Sequence, residues 1–185
     1  MTWRQIMENI LDFIWNRRSC RKYTSEKVTD EQFKLLLTAG MSAPSACHCD
    51  PWEFIVLKER EILLKTASLL PNGPFLGSCG GGIIVCGDLN KAHIGSLSYM
   101  LQDCSAAIEN ILLAARALDL GSCWLGIHPR EERIAGVRQL FQIPENIIPV
   151  GAIALGKVEG AFPEPRNRFD AAKLHGVNWN TSIEL

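Results

Sequence analysis

The longest helical pattern in the sequence is the feature that most limits its fold. Residues 97–120 are typical of one helix that ends at Gly121, and within it residues 106–108 and 111–115 are apolar on nearly every side. A helix without a polar face has to be enclosed by protein, because exposed apolar surface is unfavourable in water. The chain has 185 residues, the size of one domain. A fold this small cannot cover every side of such a helix, so the pattern predicts that a partner subunit covers the remaining side.

The other patterns predict a mixed α/β chain. Apolar residues recur at helical spacing between residues 6 and 14. A second helix begins after Thr29, the predicted N-cap, with Gln32 at the capping-box position, and it ends near Gly40. Further helices are predicted at residues 59–70 and 129–141, and strands at residues 52–57, 83–86, 123–127 and 149–156. This order lacks the strict strand–helix alternation of a doubly wound parallel sheet.

Two segments are predicted to lie outside the packed elements. Residues 77–82 are rich in glycine and precede a strand, which favours a flexible loop. The segment after Lys157 is polar and contains two prolines and two arginines, so it resembles an extended arm. We therefore expect one domain, residues 1–185, with an extended C-terminal arm at residues 158–185.

Charge and cysteine content argue against several classes of function. Nineteen Lys and Arg against 20 Asp and Glu give a net charge of −1, which argues against a protein that coats nucleic acid or anionic lipid. No run approaches about 18 uninterrupted apolar residues, and Arg4, Glu8 and Asp12 interrupt the N-terminal stretch, so neither a membrane span nor a signal peptide is predicted. Seven cysteines without a CxxC spacing predict reduced thiols. We expect a cytoplasmic protein without nucleic-acid or membrane partners.

Two motifs suggest chemistry that their context does not support. Residues 151–157 approach the phosphate-loop pattern, but Val158 stands where Ser or Thr is needed, and the glycines lie inside a predicted strand. The run Cys47-His48-Cys49-Asp50 holds four potential metal ligands, yet at most two of them can face one ion in an extended segment. No Ser–His, Cys–His or paired-carboxylate arrangement is recognisable. The sequence therefore predicts no metal site and no catalytic side chain.

Two basic clusters near opposite ends of the chain form the strongest candidate site. They comprise Arg17, Arg18, Ser19 and Arg21 in one cluster and Arg166 and Arg168 in the other. The guanidinium groups of arginine bind phosphate in a bidentate manner, and the Ser19 hydroxyl adds a compact hydrogen-bond donor. The alternative is that the first cluster only complements the dipole at the end of a helix. If the two clusters converge, they form a phosphate clamp.

Five stretches occur together in one order along the chain. They are residues 17–23 (RRSCRKY), residues 43–56 (APSACHCDPWEFIV), residues 102–115 (QDCSAAIENILLAA), residues 121–126 (GSCWLG) and residues 166–169 (RNRF). In this order they resemble the nitroreductase family of FMN-dependent oxidoreductases, from about residue 11 to residue 179. The resemblance implies an α+β fold with a mixed, mainly antiparallel sheet flanked by helices. It also implies an intertwined homodimer with two flavins at the interface, which agrees with the apolar helix.

The resemblance further implies which residues bind FMN. Arg17 and Ser19 would contact the phosphate and the ribityl chain, with Arg18 in the same cluster, and the Arg166/Arg168 pair would close on the phosphate. The ring would be held by Arg21 at its N1/O2 edge and by backbone amides around Leu125 and Gly126 near N5 and O4. The loop that would come from the other subunit to cover the flavin contains Pro44, Ser45 and Ala46.

The covering loop departs from the usual form, Asn-x-Gln-Pro-Trp, at two positions. His48 stands in the Asn position and can still donate to a flavin carbonyl. Asp50 stands in the Gln position and, when ionised, would oppose negative charge on reduced flavin unless it pairs with an arginine. We expect Asp50 to form a salt bridge or to face solvent. The hypothesis is that the two residues tune the flavin potential or the substrate face.

The resemblance implies an enzyme in which the cofactor carries the chemistry. NADH or NADPH would reduce FMN by hydride transfer to N5, and a small electrophilic acceptor such as a nitroaromatic or a quinone would then be reduced in ping-pong order. Three alternatives stay open: a flavin reservoir, sensor or chaperone with little turnover, a specialised family member acting on one metabolite, and a metal or thiol module at residues 47–50. Cys47, Cys49 and Cys104 are interpreted as packing or bystander thiols.

Overall fold

The computed structural model describes residue 11 and residues 13–183. Its helices are α1 (Asp30–Met41), α2 (Arg60–Ser68), α3 (Leu97–Ala117) and α4 (Glu131–Phe141), and its strands are β1 (Trp52–Leu57), β2 (Gly81–Asp88), β3 (Gly121–Gly126) and β4 (Ile147–Gly156). Residues 13–16 are also helical, whereas residues 6–10 of the predicted first helix lie outside the described residues. From α1 onwards the predicted order of elements is confirmed.

The four strands form one antiparallel sheet in the order β1–β2–β4–β3. All of β2 and the last eight residues of β4 are buried, as expected of apolar strands covered on both faces. Both strands are longer than predicted, because they pair with each other from Gly81–Leu155 to Asp88–Ile147. The prediction of an α+β fold with a mainly antiparallel sheet is confirmed, and β3 lies at one edge of the sheet.

Helices cover both faces of this sheet, so the core has two layers. On one face Ile83 and Val85 of β2 belong to the cluster that contains α3 and Phe33 of α1. On the other face Ile84 and Cys86 belong to the cluster that contains residues of α2 and α4. Alternate residues of a strand point to opposite faces, so a single buried strand supplies side chains to both layers.

Helix α3 is the central helix, and its own fold leaves part of its surface uncovered. Met100, Ile108 and Ile111 are fully buried. Leu113 and Ala114 are half-buried and line an apolar groove of about 440 Å³. The other residues that line this groove are Phe13, Ile14, Ala39, Ser42, Asn110 and Ala117. That a partner subunit covers this groove stays a prediction.

Two expectations about the glycines are wrong, because these glycines provide space for close packing. Gly121 does not end the long helix, which stops at Ala117; it opens β3, where a Cβ would lie 2.5 Å from a methyl group of Val158. Residues 80–82 are not a flexible loop but are buried at the start of β2. A Cβ on Gly80 would lie 2.3 Å from the carbonyl oxygen of Glu26.

The segment after β4 begins as part of the sheet edge and then becomes exposed. Val158 forms a bridge with Tyr23, and residues 163–173, which include the 3₁₀ turn Ala171–Lys173, are all exposed. Helix α4 begins at Glu131 rather than at Pro129, because the amides of Ile127 and His128 still donate to the Val150 carbonyl.

The capping box of α1 is confirmed and gives a stability prediction. Thr29 Oγ1 accepts from the Gln32 amide at 3.2 Å, and the Gln32 side chain accepts from the Thr29 amide at 2.9 Å. Replacing Thr29 with alanine is expected to lower the free energy of unfolding by about 1 kcal/mol in denaturant titrations. Ser96→Ala is the matched control, because Ser96 caps α3 without a side-chain hydrogen bond. Equal losses of unfolding free energy in both variants would contradict the stabilising role of the Thr29 side-chain cap.

Candidate cofactor site

The first basic cluster lies on an extended segment beside the edge strand β3. Ser19 forms a parallel bridge with Ser122, and the Cys20 amide donates to the Ser122 carbonyl at 2.9 Å. Side chains alternate along an extended segment, and Cys20 points into the core with 2% exposure. Arg17, Ser19 and Arg21 therefore share the opposite, outer side.

Arg17 meets the second basic cluster in one cavity. The cavity has a volume of about 840 Å³, and Arg17, Arg166 and Arg168 all line it; we call it the basic cavity. Glu109 of α3 also lines it, and its carboxylate lies 3.2 Å from Arg17 Nε. Three guanidiniums face one carboxylate, so the lining keeps an excess of positive charge. Arg17 of the first cluster therefore converges with the second cluster, as the clamp hypothesis requires.

Arg18 has a different position from its neighbours in the cluster. Its guanidinium donates to the main-chain carbonyl of Glu164, and Arg18 is not among the residues that line the basic cavity. This hydrogen bond ties the start of the arm to the segment that carries Arg17. Arg18 thus holds the two basic clusters together instead of facing the same cavity.

Arg21 lines a second, smaller cavity at the end of β3. This cavity has a volume of about 220 Å³, and Arg21, Leu125 and Gly126 line it together; we call it the β3 cavity. Arg21 also lies over the ring of Phe75, with its guanidinium carbon 5.9 Å from the ring centroid. The structure thus brings the residues predicted for the ring of the cofactor to one place.

Two polar residues of the β3 cavity were missed by the sequence reasoning. Asn72 lines it from the turn after α2, and Arg133 lines it from the first turn of α4. The close approach of this turn to β3 depends on Gly73, because a Cβ there would lie 2.4 Å from Leu125 Cδ2. The Pro-Asn-Gly-Pro sequence indicated a turn, but nothing in it indicated which strand the turn approaches.

The predicted covering loop lies on α3, apart from both cavities. The Ala46 amide donates to Asp103 Oδ1 at 2.9 Å, and residues 43–50 are absent from the described linings of the basic cavity and the β3 cavity. Asp103 is 5% exposed, and its Oδ2 has no partner among the described residues. The contact of Asp103 with this loop was also missed; the signal was an acidic residue at helical spacing from the apolar Met100 and Ala107, which places it on the buried face of α3. That Pro44, Ser45 and Ala46 cover a flavin in the other subunit stays a prediction.

The two unusual loop residues contact each other. Asp50 accepts from the Ser45 hydroxyl at 2.5 Å, and its other oxygen lies 3.7 Å from His48 Nδ1. The His48 side chain is 93% exposed. The carboxylate is therefore held within its own loop by a serine and a histidine, and no arginine pairs with it among the described residues.

The cysteines are all free, and most of them are buried. Burial raises the pKa of the Cys86 and Cys104 thiols from 9.0 to about 12, and it also raises the pKa of three other thiols. These three are Cys20, Cys79 and Cys123. Cys104 is thus a packing residue, as interpreted. Cys47 is exposed, and its Sγ lies 3.8 Å from His93 Nε2.

Thiol titration at pH 8 is expected to detect about two of the seven cysteines in the folded protein. Cys47 and Cys49 are accessible, whereas the five buried thiols are shielded and stay protonated because burial raises their pKa. Ellman's reagent added before and after denaturation gives both counts, and Cys47→Ser should lower each count by one. Rapid reaction of four or more thiols in the folded protein would contradict the burial.

The described part of the chain contains neither a metal-binding cluster nor a membrane-spanning helix. Within residues 13–183, no group of three or more His, Cys, Asp or Glu side chains is arranged to hold a metal ion. None of the helices in this range is long and apolar enough to cross a membrane.

Comparison with known proteins identifies the family. The sequence model of the Nitroreductase family matches residues 14–74 and 65–157. A relative from Archaeoglobus fulgidus, provisionally named NADH dehydrogenase/NAD(P)H nitroreductase, is 43% identical over 175 residues, which are 94% of this chain and 100% of that protein. The chain therefore belongs to the nitroreductase family.

Solved structures of similar proteins agree with this assignment. A protein from Bacteroides thetaiotaomicron with the same provisional name is 40% identical, with a TM-score of 0.85 over 91% of this chain and 97% of that one. A provisionally named nitroreductase from Desulfovibrio desulfuricans, solved in complex with FMN, is 32% identical, with a TM-score of 0.73 over 85% of this chain and 91% of that one. The predicted family and fold are confirmed.

Proposed function

We propose that the protein is an FMN-dependent oxidoreductase that uses NADH or NADPH to reduce small electrophilic acceptors. The observation that carries this proposal is the row of Arg17, Ser19 and Arg21, which runs from the basic cavity, lined by Arg17, to the β3 cavity, lined by Arg21. Alternate residues of an extended chain are about 6.6 Å apart, so the row spans about 13 Å. It has the length and the polarity for an elongated ligand with an anionic tail and a flat ring.

The basic cavity suits the phosphate of FMN. Its three guanidiniums can donate several charge-assisted hydrogen bonds to one dianion, which is the recognition that arginine forks provide best. Glu109 holds Arg17 in place through their ion pair. Ser19, an exposed residue whose side chain hydrogen-bonds the Cys123 thiol, lies next along the row and would bind the ribityl chain.

The β3 cavity suits the ring of FMN. The Ser122 carbonyl points away from β4, since it accepts from Cys20, and Gly126 lies an even number of residues further along the strand. The backbone groups of Gly126 therefore face the same free edge of β3 as the Ser122 carbonyl. Strand amides at this edge lack partners from the sheet. The Gly126 amide can donate to a ring acceptor there, and Arg21 adds a fixed positive charge. Leu125 packs beneath this edge with 6% exposure.

In this proposal the protein's own residues bind and orient FMN, and they supply no nucleophile. FMN, when bound, would supply the hydride-transfer chemistry by which NADH or NADPH reduces a nitroaromatic or a quinone in ping-pong order. Arg21 and the Gly126 amide favour negative charge on the ring by electrostatic preorganisation. The 93% exposure of the His48 side chain supports a contact with the ligand of a second chain.

We further propose that residues 1–185 form one domain and that two copies form the working unit. The apolar groove beside α3 supports a second copy, and so does the arm, residues 158–185, which exposes Phe169 and Trp179 by 68% and 77%. Free thiols support a reducing compartment, which we take to be the cytoplasm.

Turnover by the purified protein tests the proposed function. A yellow protein should oxidise NADH or NADPH rapidly when menadione or nitrofurazone is present, and slowly when neither is added. A bound chromophore with no turnover of any acceptor would instead favour a flavin reservoir, sensor or chaperone. Turnover of one metabolite alone in a broad panel would favour a specialised member.

A further inference from the structure

We propose that Arg133 is a positioning residue that supplies a second fixed positive charge at the ring end of the site. This inference rests on the proposed function and deepens it. Arg133 lines the β3 cavity with Arg21, and its Nη1 donates to the Gly126 carbonyl at 2.7 Å. Gly126 is the residue whose amide is proposed to face the ring. Arg133 therefore holds this backbone from α4 while it adds charge to the same cavity.

The place of Arg133 in its helix is unfavourable, which indicates a role beyond stability. Arg133 lies in the first turn of α4, where the helix dipole disfavours a cation. Glu131 and Glu132 in the same turn offset part of this cost. Arg133 is half-buried, and its Nε is buried without an acceptor among the described residues. The usual absence of cations from the first turn of a helix is thus violated beside the proposed site. Such exceptions are expected at functional sites.

The charges around the cavity point to an anionic occupant. Arg21 and Arg133 both line it, and no acidic side chain is among its described lining residues. Two cations that share about 220 Å³ are stabilised when negative charge enters between them. A flavin ring carries more negative charge when it is reduced. Arg133 therefore favours the reduced form over the oxidised form and raises the midpoint potential.

Two substitutions separate the charge of Arg133 from its hydrogen bond. Arg133→Gln removes the charge and keeps a donor for the Gly126 carbonyl, whereas Arg133→Lys keeps the charge. Arg130→Gln is the matched control, because Arg130 is exposed at the N-cap of the same helix and is not among the lining residues of the β3 cavity. The readouts are the two-electron midpoint potential of bound FMN and the Kd for oxidised FMN.

Arg133→Gln is expected to reduce the preference for reduced over oxidised FMN about tenfold, a shift of about 30 mV to lower potential. The Kd for oxidised FMN should change less than threefold, and Arg133→Lys and Arg130→Gln should keep the native potential. If Arg133→Gln does not fold, Arg133→Met replaces it as the neutral variant. A native potential in the neutral variant, or an equal shift in the lysine variant, would overturn the proposal. Failure of the unchanged protein to bind FMN would instead overturn the proposed function.

Discussion

Replacing Arg166 and Arg168 together with alanine is expected to weaken FMN binding by about 100-fold or more. Both side chains line the basic cavity, where they would donate to the phosphate. A hydrogen bond to a charged group contributes about 1.5–3 kcal/mol, and about 1.4 kcal/mol changes a Kd tenfold. The loss should shrink at high ionic strength, because both arginines are exposed and screened by salt. Fluorescence titration of the flavin-free protein measures it.

Riboflavin makes this experiment specific, because it lacks the phosphate. Its Kd should change less than threefold in the double variant, so the preference for FMN over riboflavin should disappear. The matched control removes two positive charges elsewhere through Arg130→Ala and Lys65→Ala; both residues are exposed, and neither is among the residues that line the basic cavity. An equal loss of FMN and riboflavin affinity in the double variant would contradict a contact between the arginines and the phosphate. A similar loss of FMN affinity in the control would show that the effect is not specific to these two arginines.

Replacing Leu113 with glutamate is expected to convert a dimer into a monomer and to abolish tight FMN binding. Leu113 lines the apolar groove beside α3, and a carboxylate buried there against a second copy would lack a partner. Separation would also remove the neighbouring copy's covering loop, so the Kd for FMN should rise at least 100-fold. Light scattering after size-exclusion chromatography measures the mass, and flavin titration measures the affinity.

Leu64→Glu is the matched control for the groove. Leu64 is 54% exposed on α2, and the apolar groove does not include it among its described lining residues. This variant should keep the native mass and the native affinity for FMN. A Leu113→Glu protein that stays dimeric would exclude the groove as the interface. A native protein that is already monomeric and binds FMN tightly would exclude the dimer proposal altogether.

Features that depend on local chemistry, or on one ligand shared by distant residues, could be predicted from the sequence. The capping box at Thr29 uses residues three positions apart, and the buried strands appear as apolar runs because both faces are covered. The convergence of Arg17 with Arg168 was also predicted, because the pattern of residue types matched one anionic ligand. In each case the interacting groups, or the ligand they would share, could be inferred without coordinates.

Features that depend on a distant partner could not be predicted. The carbonyl that binds Arg18 belongs to Glu164, and the amide that binds Asp103 belongs to Ala46 on a different element. Glycine presents the same difficulty, because the lack of a Cβ gives both flexibility and space. Gly80 was interpreted as flexible, but the neighbouring backbone occupies the place of its missing side chain.

A crystal structure of the protein with FMN tests the phosphate clamp most directly. The phosphate oxygens should lie within about 3 Å of guanidinium nitrogens of Arg17 and of Arg166 or Arg168, from one chain or from the neighbouring copy. The ring should lie against Arg21 and the Gly126 amide. A phosphate bound elsewhere, with Arg17 still paired only to Glu109, would contradict the clamp.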